Sequence, residues 1–525
     1  MMAMAKHTGW LASLLVACIG NGVWSVKATA QQSTQLTAEL VSEQAEAAMR
    51  PNVLFLAVDD MRDWVNCLGG YPGTVHTPHI DRLAAEGMLF TNAHCASPKC
   101  APSRAAIMTG LRPSTTGLYD NDHWWYPNLP DAVSIPSHFR AAGYQAVGAG
   151  KIFHHTAGNH PPNQWDHFQR LTFRDDPWFR GDRANYPWSQ PGPAPKGFPL
   201  SGVPGLGHEN DWGSLDIADH DYEDAASAQY AIDFLKRNHD RPFFLACGLF
   251  RPHLPWYVPK QYFDLYPIDA VTLPTVPADD LADLPPEGVK FATAKSGDLK
   301  KIMQADQWKQ AVRAYLASIS FADAQLGRVL EALNESEFSG NTVIVLWSDH
   351  GWHLGEKQHW HKSTLWEAAT RVPLIIGSPQ HAPGVCDRPV SLLDLFPTLV
   401  ELCQLPPISD HDGVSLVPLL SDPSKPWRPA VIEFQHGNAA VRSDRYRYIR
   451  YRNGGEELYD HQEDPNEWTN LASSRSHARV KHELATVLNY EWAEPAATKK
   501  DFHFDPDRFQ WTHRHSGETF EGSQP

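Results

Sequence analysis

Acidic residues stand directly after two separate apolar runs of the sequence. Asp59 and Asp60 end one run, and Asp349 with His350 closely follows another. Taken alone, two aspartates at such a place are typical of a helix cap or a turn. If both places meet in the fold, three carboxylates repel one another unless a cation lies among them, and oxygen ligands suit a hard ion such as Ca²⁺ or Mg²⁺. Because imidazole prefers softer metals, the sequence predicts a metal site but leaves the ion open.

Cys100 stands at the predicted start of a helix. It is followed by Pro102 and Ser103, which favour a helix start, and by Arg104. A helix start offers free N–H groups to an anion, and the planar guanidinium has the donor geometry that sulfate or phosphate oxygens use. An ordinary capping loop explains a single cysteine at such a place equally well. The segment is therefore informative only together with its context.

Short apolar runs that end in polar residues predict the strands that position these side chains. They lie at 53–58, 243–246 and 343–347 and are typical of buried parallel strands. Helical patterns lie between them, at 79–86, 225–238 and from 307 to about 334. This alternation predicts an α/β fold with a doubly wound, mostly parallel sheet.

Ligands of such sheets bind beyond the carboxyl ends of the strands. The residues that follow the predicted strands would therefore meet in one site: Asp59, Asp60, His253, Asp349 and His350. Two Pro-rich stretches, 186–207 and 273–288, predict long surface loops that rim it. We expect a catalytic domain over 48–425.

The texture of the sequence changes after residue 425. Arginine and aromatic residues alternate over 445–451, and this period of two is typical of a strand with two different faces. We therefore expect a smaller C-terminal α+β subdomain with an antiparallel sheet over 426–525.

The composition of the 525-residue chain is that of a folded protein, with 42% hydrophobic and 20% charged residues. Its formal net charge of −16 argues against nucleic acid as a partner. The N-terminal sequence predicts a signal peptide over 1–30, because Lys6 is followed by the apolar run 10–19 and the small residues 28–30. We therefore expect a secreted or periplasmic protein. The alternative is a lipid anchor at Cys18, which is the one membrane association we expect.

Seven cysteines are too few for a disulfide scaffold in a chain of this length, although an exported protein can form one or two bridges. Cys386 and Cys403 are one candidate pair. Cys247 lies in an apolar run and is interpreted as a buried, inert thiol.

The segment Cys-x-Pro-Ser-Arg, followed by Thr109-Gly110, resembles the maturation signature of the type I sulfatases of the alkaline phosphatase superfamily. Further segments carry the resemblance over residues 50 to 380, and their details are most similar to the iduronate-2-sulfatase branch. These segments are Asp59-Asp60, Gly150-Lys151-Ile152-Phe153-His154, Arg251-Pro252-His253-Leu254-Pro255, Ser348-Asp349-His350-Gly351-Trp352, and Leu354-Gly355-Glu356 leading to Lys362.

The resemblance implies that Cys100 is oxidised to formylglycine, either by a formylglycine-generating enzyme or by an anaerobic sulfatase-maturating enzyme. It implies a Ca²⁺ site with these ligands: Asp59, Asp60, Asp349, His350 and the modified Cys100. It also implies that further catalytic side chains surround the sulfate: Arg104, Lys151, His154, His253 and Lys362. Trp352, which follows the metal motif, is a candidate for stacking on a sugar.

The mechanism implied by the resemblance is attack of one hydroxyl of the hydrated aldehyde on sulfur. Asp349 would accept the proton of that hydroxyl, and His253 or Lys362 would protonate the departing sugar oxygen. His154 would then take the proton of the second hydroxyl, so that the aldehyde forms again and sulfate leaves.

These features predict an exported sulfatase that acts on a sulfated glycan, with the 2-position of a uronic acid suggested by the resemblance. One alternative is a phosphodiesterase or phosphonate hydrolase of the same superfamily. Another is a non-catalytic protein that binds sulfated glycans and keeps Cys100 as a thiol. His353, His359 and His361 are interpreted as residues of a surface loop without a catalytic role.

Overall fold

An eight-stranded sheet lies at the centre of the computed structural model, which describes residues 50–156, 158–169, 196–294 and 296–523. Across the sheet the strands are Gly384–Cys386, Met88–Phe90, Leu374–Gly377, Thr342–Ser348, Asn52–Val58, Phe243–Leu249, Gln145–Gly150 and His167–Gln169. Leu374–Gly377 runs antiparallel to both of its neighbours, and the other pairs are parallel. The mostly parallel sheet predicted from the sequence is confirmed.

Helices cover both faces of this sheet. Along the Asn52–Val58 strand, Leu54 and Leu56 point into one apolar core, whereas Val53 and Phe55 point into the other. Such two-sided burial is why the strand is apolar throughout. The first core is covered by Pro78–Glu86, Glu223–Leu235 and Trp308–Glu335, and the second by Cys100–Thr109, Ile135–Ala141 and Leu395–Leu402. The doubly wound arrangement is confirmed, and the predicted helices differ from these only at their ends.

Shorter elements connect these layers. The shorter helices are Pro113–Thr116, Trp125–Asn128, Lys260–Asp264, Pro286–Thr293, Ser296–Gln304, Glu367–Thr370, Val417–Ser421 and Ala478–Thr486. The two-stranded pairs are Ala93–His94 with Val390–Ser391, Trp212–Leu215 with Trp256–Pro259, and His353–Leu354 with Trp360–His361. Among the described residues, none of the helices combines the length and the apolar composition needed to cross a membrane.

Two antiparallel sheets follow residue 425, as the alternating sequence predicts. The first contains Ala430–Glu433, Ala439–Arg442, Tyr446–Arg450 and Glu456–Asp460, paired in chain order. Tyr448 packs in a small core with Leu484, whereas Ile449 belongs to the second core of the central sheet. The second sheet contains Phe502–Asp505, Gln510–His513 and Thr519–Glu521. A domain boundary near residue 425 stays a prediction.

The structure corrects the candidate disulfide. Cys386 and Cys403 are both free and buried, and Cys386 Sγ lies 3.6 Å from the carbonyl oxygen of Pro423. Cys386 ends an edge strand whereas Cys403 follows the Leu395–Leu402 helix, and the two cysteines form no disulfide. Cys247 is buried as predicted, and burial raises the pKa of its thiol to about 12.

Several predictions concern parts of the chain that lie outside the described residues. These are the signal peptide over 1–30, the lipid anchor at Cys18 and residues 186–195 of the first Pro-rich stretch. The second Pro-rich stretch has no strand, and its end forms the start of the Pro286–Thr293 helix, because proline is well accommodated in a first helical turn.

Candidate active site

The acidic residues lie where two central strands end side by side. Val58 pairs with Ser348 in the parallel register, so Asp59 and Asp349 leave the sheet at the same edge. Asp60 has a φ of 59°, a left-handed conformation that aspartate tolerates better than most residues. Its backbone N–H donates to Asp349 Oδ1 at 3.1 Å, which joins the two strand ends.

Cys100 is the first residue of the Cys100–Thr109 helix and is buried. Its Sγ lies 3.0 Å from Lys362 Nζ, 3.2 Å from His350 Nε2 and 3.9 Å from Lys151 Nζ. Burial raises the pKa of the Cys100 thiol, and the two lysines only partly oppose this effect. An unmodified thiol at this place is therefore protonated and a poor nucleophile.

The structure brings the predicted metal ligands together. Two overlapping groups have candidate ligand atoms within 4.8 Å of one another: Asp59, Asp60, Cys100 and His253 in one, and Asp59, Cys100, Asp349 and His350 in the other. The Oδ2 atom of Asp60 is buried and has no hydrogen-bond partner among the described residues. Such an oxygen is costly unless a cation or a donor approaches it, so the residues present fit a divalent cation.

His350 has the tautomer that a metal ligand needs. Its Nδ1 donates to the carbonyl oxygen of Gly351 at 3.1 Å. Its Nε2 then keeps a lone pair, and it lies 3.4 Å from Asp60 Oδ1 and 3.5 Å from Asp349 Oδ2. A backbone acceptor that fixes the tautomer is typical of histidine ligands.

Two lysines neutralise the outer side of the acidic cluster. Lys151 forms an ion pair with Asp59 Oδ2, and Lys362 Nζ lies 2.6 Å from Asp60 Oδ1. Burial raises the pKa of Asp60 to about 7, although Lys362 opposes the shift. The pKa of Lys362 is raised in turn because its nearby carboxylates outweigh its burial. Lys362 is therefore an ammonium group at neutral pH.

Arg104 is fully buried and contacts the carboxylates of the cluster. Its Nε donates to Asp349 Oδ2 at 2.8 Å and its Nη2 to Asp59 Oδ1 at 3.2 Å. Its Nη1 donates to the carbonyl oxygens of Lys151 and Ile152. With all these donors engaged and the side chain fully buried, Arg104 holds the carboxylates in place. A direct contact between this guanidinium and the sulfate stays a prediction.

Both oxygens of Asp349 are also engaged. Oδ1 accepts hydrogen bonds from the backbone N–H groups of Asp60 and His350, each at 3.1 Å. Burial alone would raise the pKa of Asp349, but Arg104 and His350 hold it well below its usual range. The predicted transfer of a proton to Asp349 stays a prediction.

Two histidines approach the site from other loops. His253 Nε2 lies 3.7 Å from Asp60 Oδ2 and 3.9 Å from Asp59 Oδ2. The ring of His154 is buried against His155, with ring centroids 4.5 Å apart. Burial lowers the pKa values of His154 and His253 well below the usual range, so both rings are neutral near pH 7.

Trp352 lies under Lys362, whose Nζ is 5.4 Å from the centroid of the indole ring. The indole is only 2% exposed, and it also packs against His361, with ring centroids 4.9 Å apart. These contacts orient Lys362. Stacking of a sugar on Trp352 stays a prediction.

The surface-loop interpretation of the neighbouring histidines is wrong for two of them. His353 and His359 are fully buried. His353 Nε2 lies 2.7 Å from Thr364 Oγ1, and His359 Nδ1 lies 2.8 Å from the carbonyl oxygen of Ala292. Their rings hold together the loop that carries Lys362, a role that residue type alone does not reveal.

Sequence reasoning missed two polar contacts at the start of the Cys100 helix. Ser103 Oγ donates to the carbonyl oxygen of Asp349 at 2.6 Å. Asn121 Oδ1 accepts a hydrogen bond from the backbone N–H of Ala101 at 2.9 Å, which satisfies one of the free donors of that helix start. The serine could have been found from its place in the maturation signature, whereas nothing in the sequence marks Asn121.

A doubly wound sheet with a buried cluster of carboxylates and lysines around Cys100 defines a hydrolase of the alkaline phosphatase superfamily. The family model for sulfatases matches residues 51–405, and a model for the C-terminal region of N-sulphoglucosamine sulphohydrolase matches residues 355–494. The chain belongs to the sulfatase family.

Named relatives agree with this assignment. A sulfatase of Formosa agariphila is 39% identical, with 84% of this chain and 88% of the relative covered. Human iduronate 2-sulfatase is 32% identical, with 70% of this chain and 67% of the relative covered. A phosphonate monoester hydrolase from Silicibacter pomeroyi shares the fold, with a TM-score of 0.69 and 23% identity over 84% of this chain and 94% of that one. The protein is thus a hydrolase of sulfate esters, which sets aside the non-catalytic alternative.

Proposed function

We propose that this sulfatase is exported and removes sulfate esters from a sulfated glycan, with a 2-O-sulfated uronic acid as the favoured substrate. The observation that carries the proposal is the position of Cys100, whose sulfur lies 3.0 Å from Lys362 Nζ and 3.2 Å from His350 Nε2, beside the buried carboxylates. Similarity to human iduronate 2-sulfatase supports the choice of the ester. The signal peptide predicted over 1–30 supports export.

In this proposal Cys100 is converted to formylglycine, and a bound Ca²⁺ is held by Asp59, Asp60, Asp349 and His350. The oxygen-rich donor set favours a hard cation, and Asp60 Oδ2, which has no hydrogen-bond partner among the described residues, provides a ligand atom. When bound, the ion would neutralise the carboxylates and withdraw charge from the sulfate oxygens.

The cationic side chains supply the electrostatic part of the reaction. Lys151 and Lys362 both approach the sulfur of Cys100, at 3.9 and 3.0 Å, and therefore face the place where a sulfate group would react. Fixed charges in a buried site stabilise developing negative charge far better than mobile charges in water. Arg104 contributes by fixing Asp59 and Asp349 in their positions.

The protonation states of Lys362 and His154 indicate which proton transfers each residue can carry out. Lys362 carries a proton because its carboxylate neighbours raise its pKa, and Lys362 and His253 both stay candidates for protonating the departing sugar oxygen. His154 is neutral, and its Nδ1 has no hydrogen-bond partner among the described residues. It is therefore available to accept the proton whose removal releases sulfate.

The test uses enzyme produced together with a formylglycine-generating enzyme and supplied with Ca²⁺. Inorganic sulfate is measured after incubation with a 2-O-sulfated uronide, a 6-O-sulfated glucosamine and an aryl sulfate, and an aryl phosphodiester is tested in parallel. We expect sulfate release from the uronide at the highest kcat/KM, and none from Cys100→Ala. Preference for the phosphodiester would overturn the proposal in favour of the phosphonate hydrolase alternative.

Export is tested separately by N-terminal sequencing of the protein recovered outside the cytoplasm. We expect a mature chain that starts near Gln31. A lipid-modified Cys18 at the N-terminus would establish the anchored alternative, and full-length protein found only in the cytoplasm would contradict export.

A further inference from the structure

We propose that Lys499 forms a subsite for a second acidic group of the substrate, next to the sulfate that is cleaved. The inference deepens the proposed function, on which it rests, since it specifies a substrate that carries a carboxylate or a further sulfate beside the reacting ester. Lys499 belongs to the C-terminal region, far from the sulfatase motifs in sequence.

The segment that carries Lys499 is fixed to the start of the Cys100 helix through the loop 120–124. Asn121 in this loop accepts the N–H of Ala101 at 2.9 Å, and Asp120 Oδ2 lies 2.7 Å from Lys99 Nζ. Both contacts are with residues directly adjacent to Cys100. The loop therefore packs against the start of the Cys100 helix.

The C-terminal segment pairs with this loop through its backbone. Thr498 and His123 form an antiparallel bridge, and the N–H of Lys499 donates to the carbonyl oxygen of Asp122 at 2.7 Å. The side chain of Thr498 also caps the short turn that follows, where its Oγ1 lies 2.8 Å from Asp501 Oδ2. The backbone of Lys499 is thus held on both sides.

The ammonium of Lys499 points toward the loop that carries His154. Its Nζ donates to Thr156 Oγ1 at 2.8 Å and lies 5.9 Å from the ring centroid of Trp124. Its positive charge also contributes to the lowered pKa values of His154 and His155. Lys499 therefore contacts the loop of His154 at Thr156, two residues further along the chain.

Lys499 differs from the other lysines near the site in lacking a paired carboxylate among the described residues. Lys99, Lys151 and Lys362 each form an ion pair with an aspartate, whereas no ion pair joins Lys499 to a described residue. The side chain is half-buried, and this burial lowers its pKa to about 8 although Asp122 and Asp120 oppose the shift. A half-buried ammonium group that forms no ion pair with a described residue gains stability when an anionic ligand arrives.

The chemistry of the ligand follows from this arrangement. An ammonium group binds a carboxylate or a sulfate as a point charge without demanding a planar, two-pronged geometry. A uronic acid that is also sulfated carries both groups on one ring, so the ester could react at Cys100 while the carboxylate contacts Lys499. A substrate with a single charged group gains nothing from this lysine.

The test compares Lys499→Gln with Lys500→Gln, the exposed neighbouring lysine, as the matched control. Steady-state kinetics are measured with a 2-O-sulfated uronide and with an aryl sulfate that has no second charge. A charge-assisted hydrogen bond corresponds to about 10- to 100-fold in binding. We expect Lys499→Gln to raise KM for the uronide by about this factor and to leave kcat and the aryl sulfate kinetics nearly unchanged, with no effect of Lys500→Gln.

Equal losses of kcat on both substrates would overturn the proposal, because they would show that Lys499 only supports the His154 loop. Unchanged KM for the uronide would overturn it as well. If the wild-type enzyme does not cleave the uronide, the proposed substrate is wrong, and the uronide is then used as a competitive inhibitor of aryl sulfate hydrolysis. A Ki that rises in Lys499→Gln still supports the subsite, and an unchanged Ki rejects it.

Discussion

Replacing Arg104 by methionine removes the guanidinium that joins two buried carboxylates of the active site. Arg104 donates to Asp349 Oδ2 at 2.8 Å and to Asp59 Oδ1 at 3.2 Å, and all three side chains are fully buried. A hydrogen bond to a charged group contributes about 1.5–3 kcal/mol, so the two together correspond to roughly 3–6 kcal/mol. This agrees with the approximately 3–5 kcal/mol lost when one partner of a buried ion pair is removed.

We therefore expect Arg104→Met to lower the free energy of unfolding by about 3–5 kcal/mol. The measurement is urea unfolding in the presence of a chelator, so that a bound cation does not compensate for the lost positive charge. Arg104→Lys keeps the charge but reaches only one of the carboxylates, and it should lose roughly half as much.

Two control variants separate this effect from the general effect of removing a cation. Lys260→Met breaks an exposed pair with Asp264 at 2.5 Å, and exposed pairs contribute at most about 1 kcal/mol. Arg62→Met breaks buried pairs with Asp63 and Glu356 outside the metal cluster, so it should destabilise the fold while retaining metal binding. If Arg104→Met is no more destabilising than Lys260→Met, the assigned role of Arg104 is wrong.

Three further predictions concern the metal, the C-terminal sheet and the proposed subsite. Chelation of the metal should abolish sulfate release. Addition of Ca²⁺ should restore the activity and, at 100 times the Kd of the ion, stabilise the fold by about 2.7 kcal/mol. Activity that persists after complete chelation would contradict the metal site. Glu433→Ala should lower the free energy of unfolding by about 3 kcal/mol. The reason is that the buried carboxylate accepts hydrogen bonds from Ser114 N, Ser114 Oγ and Tyr490 OH at 2.6–2.7 Å. A loss no larger than that of Glu433→Gln would contradict this. Burial lowers the pKa of Lys499 to about 8, so its ammonium group is present below that pH and lost above it. The kcat/KM for the acidic substrate, divided by the kcat/KM for the neutral substrate, should therefore fall in the wild type as the pH rises through 8. It should not fall in Lys499→Gln.

The fold could be predicted largely because its central strands are buried on both faces. An uninterrupted apolar run such as Asn52–Val58 is the direct consequence of cores on both sides of the sheet. The polar residues at the ends of such strands then had to meet at one edge, which is how the neighbouring positions of Asp59 and Asp349 followed from the sequence. Element boundaries were less certain because helix ends depend on local capping.

The corrected predictions all depend on distances between parts of the chain that no local pattern encodes. Cys386 and Cys403 were paired on residue type alone, yet a disulfide requires the two Cβ atoms to approach within about 4.5 Å in a suitable orientation. His353 and His359 are interpreted from the sequence as surface-loop residues, whereas their rings are satisfied by partners inside the fold. Lys499 was missed because its segment reaches the site only through backbone pairing with the loop 120–124.

The role of Arg104 shows a related limit. Its place one turn into the helix correctly indicated a cation near Cys100, but the sequence could not decide between a contact with sulfate and contacts with Asp59 and Asp349. That choice depends on the side-chain path, which the buried carboxylates of two distant strands determine.

The most direct test of the account is the mass of the tryptic peptide that contains Cys100, isolated from enzyme produced with a formylglycine-generating enzyme. The account predicts that the thiol is replaced by an aldehyde, since Cys100 stands in the segment Cys-x-Pro-Ser-Arg that resembles the maturation signature of the sulfatases. If the thiol persists while a known sulfatase is converted in the same cells, Cys100 is not the precursor of the nucleophile and the proposed mechanism is wrong.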